Sequence, residues 1–486
     1  MSEYDALPRS SFDADTGHRP RSRRRFRLAL LRRFRRTCRP SYLLLGLIAF
    51  LLWQITFNAS YTNPPPFEIP AGETVYIAAN IIDADLINGA WGDALVQLVE
   101  LIGTDRVFVS VYGGPASALQ QLNARLSCGT SLVAEDQDPV SLRSIPHTTL
   151  PTGEERIKRI AFLAEVRNKA LEPLKKSTVH YDKILFINDV YFTPEDATRL
   201  LWGTNLNSEG RSEYKAVCAA DFVTSWKYYD TYGTRDLEGY SIGVPIFPWF
   251  ANEGEAASRN DVLAGKDAVR VKSCWGGMVS FDAKYFTEEG MNMSTSETTA
   301  ATPALPLRFR SEPEPFWDAS ECCLIHADII ALPDATKVSS ADDVGIYMNP
   351  FVRVAYDGAA FSQIGMVKRF ERLFALPQAI INPLAHMPRY NPRRTEVEGQ
   401  VIRDRRWISS SSSTTTIAKR ATLGSSGSWD DWAKRGHYED FDRVAARGGY
   451  CGVRQLLVLK EDRIGEKGGG GGNWDNLLNE VPPLET

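Results

Sequence analysis

The chain has 486 residues, of which 43% are hydrophobic and 24% charged, with a formal net charge of −4. This balance is ordinary for a globular protein, and the length suits one large domain with appendages or two domains. Eleven arginines crowd between Arg19 and Arg39, and no acid occurs between Asp15 and Glu68, so the remainder is distinctly acidic and argues against a nucleic-acid partner.

Residues 1–40 read as a basic, disordered cytosolic tail. The uncharged run from Tyr42 to Phe57 follows, with Trp53 and Tyr61 near its far end. A membrane span needs about 20 residues, and residues 41–61 together are read as a transmembrane signal anchor. The arginines before it predict a cytosolic N-terminus and a luminal remainder. A cleaved signal peptide is the rival, disfavoured by the long arginine arm and the lack of an Ala-x-Ala site. Attraction to anionic lipid accounts for the arm more simply than nucleic acid does. Asn58-Ala59-Ser60 is a glycosylation sequon, and residues 62–73, with Pro64, Pro65, Pro66 and Pro70, read as a short stem.

The catalytic-type domain is expected over 74–388. Thr74 to Ala79 reads as a strand, Leu95, Leu98, Val99 and Ile102 recur at helical spacing, and Val107 to Tyr112 reads as a second strand. Gly113-Gly114-Pro115 turns into a helix carrying Leu119, Leu122 and Leu126, and Glu154 to Leu171 is a further helix. This alternation predicts a parallel sheet covered by helices. Lys183 to Ile187 is the next strand, ending in the polar pair Asn188-Asp189. Thr193-Pro194-Glu195-Asp196 then offers a cap, a first-turn proline and first-turn acids, which start a helix. A carboxylate at that point sits on the carboxyl edge of the sheet, where open α/β sheets bind ligands. Lys215 to Ala219 is a further strand, ending in Asp221.

Between Trp226 and Phe250 aromatic rings mix with Asp230, Arg235, Asp236 and Glu238, which suits either a sugar-binding surface or a loop that packs its own rings. Ser273 to Met278 holds the pair Gly276-Gly277, fit for close backbone approach to a ligand or for a tight turn. Asn292-Met293-Ser294 is a second sequon, in a surface loop. Residues 389–486 read as a low-complexity tail in which a structured segment near 429–460 packs back on the domain. Ser409 to Thr416, Gly424 to Ser428 and Gly468 to Gly472 are its biased tracts. Six of the seven cysteines lie beyond the anchor, which permits two or three bridges of unreadable pairing.

Four stretches together resemble one family: Ile184 to Val190, Glu165 to Leu171, Trp275-Gly276-Gly277-Met278, and Trp317 to Asp328. In this order they are similar to the fungal glycosyltransferases of family 69, the capsule-associated group typified by cryptococcal α-1,3-mannosyltransferase. The similarity runs from about Val75 to Tyr356, and Tyr450 to Leu457 is similar to the family's C-terminal block. The resemblance implies an α/β, GT-A-like nucleotide-sugar transferase domain behind the transmembrane anchor, in a single-pass type II protein of the Golgi membrane. It implies GDP-mannose or a similar nucleotide sugar as donor, Mn²⁺ or Mg²⁺ as cofactor, and a mannose-containing glycan as acceptor.

Asp189 would then be the metal-binding acid, with Asn188 replacing the usual first aspartate, and His326 would supply a second ligand. Arg167 and Asn168 would contact the donor diphosphate, with Asn188, Trp275, Gly276 and Gly277 also on the donor side. Asp318 and Glu321, three apart, would face the sugars as the catalytic acids. Retention of configuration would leave no obligatory general base. A catalytically silent, membrane-anchored glycan-binding or scaffold subunit is the alternative kept open by the departure from Asp-x-Asp. Glycoside hydrolysis would need two flanking carboxylates and would leave the metal motif without a purpose.

Overall fold

The structure is a computed structural model that describes residues 40–150, 154–287, 303–332, 342–409, 436–460, 473–477 and 481. The arginine arm, the Asn292 sequon and most of the three small-residue tracts lie outside the described residues. Two compact units are present, residues 1–58 and 59–486. In the first, Pro40–Phe57 forms helix α1. Its apolar side chains are distributed all round rather than on one stripe. Eighteen residues at about 1.5 Å each give ~27 Å of helix. Among the described residues no helix is long and apolar enough to cross a membrane. The span expected over 41–61 is therefore shorter in the structure, because the helix stops at Phe57.

The second unit is built on a ten-stranded mixed sheet. In chain order its strands are β1 (Val75–Asn80), β2 (Val107–Tyr112), β3 (Gly129–Val133), β4 (Lys183–Ile187), β5 (Ala216–Thr224), β6 (Lys227–Tyr228), β7 (Arg235–Asp236), β8 (Val269–Ser273), β9 (Met278–Asp282) and β10 (Ile346–Ala355). They are arranged β3-β2-β1-β4-β9-β5-β10-β8-β7, with β6 against β5. The half from β3 to β4 is parallel, as alternating strands and helices predict. The expectation of a purely parallel sheet needs correcting at β9, which enters antiparallel between β4 and β5 and pairs Met278 with Ile187.

Side-chain alternation explains why both faces are covered. Val75, Ile77 and Ala79 of β1 join one core with Trp91, Leu95, Leu98 and Ile102 of helix α2 (Ala90–Ile102). Tyr76 and Ala78 join the other, with Ala161, Ala164 and Ala170 of helix α3 (Arg159–Ala170). Helix α4 (Pro194–Trp202) begins as its sequence requires, with the Thr193 side chain accepting the Asp196 N–H at 3.1 Å and proline in its first turn. Helix α5 (Glu321–Ala331) is buried along nearly its whole length.

Residues 60–73 differ from the free stem expected there. The Tyr61 ring is buried and its hydroxyl donates to the Val262 carbonyl at 2.9 Å. The Pro65 and Pro70 carbonyls accept from Arg199 and Arg106, and Arg199 lies over the Phe67 ring. Prolines here fix an extended path along the domain surface rather than a spacer. In the tail, Val401–Ser409 pairs with Gly436–Val444 as an antiparallel ribbon, a strand the sequence reading left in the low-complexity region. Beyond it, Gly452–Arg454 pairs with Trp317–Ala319. Two disulfides form, Cys218–Cys274 and Cys323–Cys451, while Cys128 and Cys322 are free.

The second bridge spans 128 residues of sequence and ties α5 to the C-terminal segment. Removing a link that closes so long a loop costs about 2–5 kcal/mol. Cys451→Ser is therefore expected to lower the thermal midpoint by several degrees in a non-reducing melt, and to lose that difference when both proteins are melted in reductant.

Candidate functional site

The parallel half of the sheet has a switch point between β1 and β4. From β1 the chain moves outward through β2 to β3, then returns to place β4 on the opposite flank of β1. Crevices of this kind lie outside the carboxyl ends of the strands. Asp83 follows β1 and Asp189 follows β4, so one carboxylate stands on each lip.

Asn188 fixes the end of β4. Its N–H donates to the Gly277 carbonyl at 2.9 Å, and its own carbonyl accepts from Trp91 Nε1 at 2.9 Å. Its side-chain Oδ1 accepts from Trp275 Nε1 at 3.1 Å and from Arg167 Nη1 at 3.4 Å. A neutral amide oxygen thus serves two donors, and Asn188 acts as a half-buried joint. Asp189 is left facing solvent. The protein mass around the crevice pushes its pKa above the usual carboxylate value, Arg167 pulls it down, and Asp83 pushes it up.

Arg167 projects from α3 into a slot of rings. Its guanidinium lies 4.1 Å from the Trp275 ring centroid, flanked by Phe186 and Phe309, and its Nε pairs with Glu321 Oε1 at 2.9 Å. Glu321 is buried in the first turn of α5. Its expected place facing the sugars is corrected to one behind Arg167, where it holds the guanidinium. Trp275 is also buried, so its ring stacks the arginine rather than offering a face to a sugar. Gly276 and Gly277 adopt positive φ, and a Cβ at Gly276 would meet the Ala219 carbonyl oxygen at 1.9 Å. The pair is required by packing against β5, which decides for the tight turn over ligand approach.

Three expected site residues lie elsewhere. Asn168 is buried and clamps the Phe309 backbone, donating to its carbonyl at 2.9 Å and accepting its N–H at 3.0 Å. Asp318 is buried in an ion pair with Lys158 at 2.9 Å and accepts the Leu457 N–H at 2.9 Å. It anchors the C-terminal segment, because a buried carboxylate must be paired. His326 is fully buried against Phe281, with Nδ1 on the Cys322 carbonyl at 2.7 Å, and burial lowers its pKa to about 4. Phe281 pairs with Ile184, at the opposite end of β4 from Asp189, so His326 is no partner of that acid.

A second acidic layer, behind the Gly276-Gly277 turn, was not singled out from the sequence as a site. Asp230 accepts the Trp275 N–H at 2.9 Å, the Gly233 N–H at 2.8 Å and the Thr234 hydroxyl at 2.8 Å. Asp221 of β5 accepts the Asp230 N–H at 3.0 Å and the Tyr356 hydroxyl at 3.3 Å. Tyr229 packs on Tyr356 with centroids 4.4 Å apart. Strand-end position was the available signal for Asp83 and Asp189, which follow β1 and β4, whereas Asp221 lies inside β5, three residues before its end. Only the loop geometry links Asp230 and Tyr356 to them.

Among the described residues no group of three His, Cys, Asp or Glu side chains could hold a metal by itself. A hard divalent cation can, however, be bound by one or two carboxylates together with substrate phosphates. The open carboxylate of Asp189 fits that mode, while Asp83 has committed Oδ1 to capping the turn at Asp85 and Leu86.

The family match makes the class of protein a glycosyltransferase, and an α/β sheet with an acidic crevice at its switch point, next to an arginine held by Glu321, suits that class. The chain belongs to the cryptococcal mannosyltransferase 1 family, whose model matches residues 74–328. No curated protein matches it. Among solved structures it is similar to glucosyl-3-phosphoglycerate synthase from Mycobacterium tuberculosis in complex with Mn²⁺, UDP and phosphoglyceric acid, at 13% identity and a TM-score of 0.29, over 70% of this chain and 88% of that one. It is also similar to the mannosyltransferase PcManGT from Pyrobaculum calidifontis in complex with GDP-Man and Mn²⁺, at 11% identity and a TM-score of 0.31, over 72% and 87%. Likeness at this level is remote.

Burial is the largest cause pushing the Asp221 pKa well above the usual carboxylate range, with the Asp230 charge adding to it. A folded-state pKa above the unfolded value of ~3.9 means that stability present at low pH falls as pH rises toward the folded pKa. The slope is about 1.4 kcal/mol per pH unit. Asp221→Asn keeps the shape and removes the titration. Its stability advantage over wild type is expected to widen between pH 4 and pH 7 in denaturant melts, and a pH-independent difference would show that Asp221 is ionised in the fold.

Proposed function

We propose that the protein transfers mannose from GDP-mannose to a mannose-containing glycan, forming an α-1,3 linkage with retention of configuration. The observation that carries this reading is the open Asp189 carboxylate at the switch-point crevice, beside an arginine that cannot move away. Family membership supports the sugar and its nucleotide carrier. Asp189 would hold Mn²⁺ or Mg²⁺ jointly with the diphosphate, and the cation would neutralise the leaving group when bound.

Arg167 contributes a fixed positive charge. Glu321 and Trp275 prevent it from reorienting, so it stabilises negative charge developing on the departing phosphate oxygen without reorganisation. Asn188 keeps that edge of the sheet still through its hydrogen bonds with Gly277, Trp91, Trp275 and Arg167. In the transfer, the bond from the sugar C1 to the diphosphate oxygen breaks and a bond from the acceptor hydroxyl oxygen to C1 forms. The hydroxyl proton leaves with the phosphate oxygen, so no separate general base is assigned and GDP departs complete.

We also infer residence at a Golgi membrane, with the folded unit in the lumen. The two disulfides support an oxidising compartment, and the apolar helix α1 preceded by the arginine arm supports attachment to a bilayer. After alkaline carbonate extraction of cells that make the full chain, the protein is expected in the membrane pellet. Its release into the supernatant would remove the anchor from the proposal.

The transferase reading is tested by GDP release from GDP-mannose with a mannobiose acceptor, in manganese and in EDTA. Turnover is expected to need the metal, and Asp189→Ala is expected to lower it by about 10²–10³-fold. A folded wild-type protein inert toward several nucleotide sugars would favour the glycan-binding subunit instead. Activity that survived the substitution would keep the enzyme and discard Asp189.

A further inference from the structure

A cavity of about 540 Å³ has Tyr229 in its wall. Its walls come from the segment after β5, from residues 387–391 and from residues 452–455, which are far apart in sequence. The volume lies within the ~300–1,000 Å³ usual for small-molecule sites. Tyr229, Tyr232 and Tyr390 line it, alongside Lys227, Arg235 and Arg389, and no aspartate or glutamate is among the lining residues. We propose that this cavity is the acceptor subsite, and that it takes a saccharide carrying a negative charge, as a carboxylate or a phosphate.

The rings supply the saccharide part. Tyrosine offers an apolar face for the C–H side of a pyranose and a hydroxyl for its edge. Tyr229 is half exposed, at 50%, and Tyr390 is 90% exposed, so both have free surface to give. The Tyr232 hydroxyl is shut off from solvent and makes no hydrogen bond of full geometry, although Gln455, another lining residue, lies beside it. Being closed to solvent, that hydroxyl braces the cavity wall, and the sugar contacts fall to the exposed Tyr229 and Tyr390.

The cations supply the charge selection. Arg235 is buried, and its guanidinium bonds the carbonyls of Tyr232, Thr234, Tyr450 and Cys451 at 2.7–2.9 Å. These hydrogen-bond partners are dipoles, and Asp230 and Asp236, which do not line the cavity, offset some of the positive charge of Arg235. Lys227 and Arg389 add to it at the exposed rim. In a cavity of one sign, an anionic ligand is attracted and a cationic one repelled.

Position assigns the cavity to the acceptor. The donor's nucleotide belongs at the switch point between β1 and β4. The cavity lies on the β5 side, joined to the crevice by the Tyr229–Tyr356 ring pair and by Tyr356 on Asp221. Both tyrosines also feel the Asp189 charge, in keeping with a cavity that adjoins the crevice. The word acceptor rests on the transferase reading, whereas binding of an anionic saccharide does not.

The test is calorimetric titration of the detergent-solubilised full chain, without donor, using mannobiose, mannobiose 6-phosphate and mannobiose ending in a uronic acid. At least one charged disaccharide is expected to bind about tenfold more tightly than the neutral one, a difference of ~1.4 kcal/mol. The two charged probes distinguish phosphate from carboxylate as the preferred group. Arg389→Glu is expected to abolish that preference while the neutral affinity stays within about twofold, as a rim charge should. Lys227→Glu serves as the second variant should the first fail to fold.

Equal binding of all three sugars, or displacement of the charged sugar by GDP, would overturn the proposal, the latter by making the cavity a donor site. Charged-sugar binding by a protein that never turns over GDP-mannose would leave the cavity assignment standing and sink only the transferase reading.

Discussion

Asn188 is the joint on which the site depends. A strand that ended in an unrestrained turn would leave Asp189 to wander. The amide meets donors from three directions and lets its own N–H complete the pairing with the Gly277 carbonyl. Every element that touches it is a core element: α2 through Trp91, α3 through Arg167, and the turn before β9 through Trp275. Movement of Asp189 is thereby coupled to movement of the core, which is stiff because it is close-packed.

The charges around that joint are arranged in pairs that hold one another in place. Arg167 and Glu321 are both buried, and a buried charge without a partner is expensive. Their pairing, with Trp275 stacked on the guanidinium, leaves Arg167 as a positive source that is available but immobile. Asp230 does equivalent work for the backbone by receiving the N–H groups of the turn that carries Trp275. Asp221 lies deeper still, where burial pushes its pKa upward, and it accepts hydrogen bonds from the Asp230 N–H and the Tyr356 hydroxyl. Asp189, the one expected site acid left open to solvent, is therefore the acid free to meet a ligand.

Much of this architecture was legible in the residues. Strands β1, β2 and β4 were readable from short β-branched runs, α2 from its 3.6-residue apolar spacing, and the start of α4 from Thr193 and Pro194, because these signals are local. Asp189 at the carboxyl edge followed from the same local reading. Three other site expectations failed for a common reason. Asn168 and Asp318 have partners distant in sequence, Phe309 and Lys158, while His326 sits between Ile325 and Ala327 and packs on the distant Phe281. Nothing local distinguishes a polar side chain that faces a ligand from one that closes the core.

Sequence alone determined strands β1, β2 and β4 with helices α2 and α4, the arginine arm beside an apolar run, the family and the position of the exposed acid. Each of these depends on periodicity, capping or a contiguous motif. Tertiary structure alone decided that β9 would insert antiparallel beside β4, that Cys323 would meet Cys451, and that Glu321 would stand behind Arg167. It also decided that residues near 230, 390 and 453 would enclose one cavity. These are contacts between segments tens to hundreds of residues apart, set by which buried surfaces and buried charges satisfy one another, and no window of sequence contains both partners.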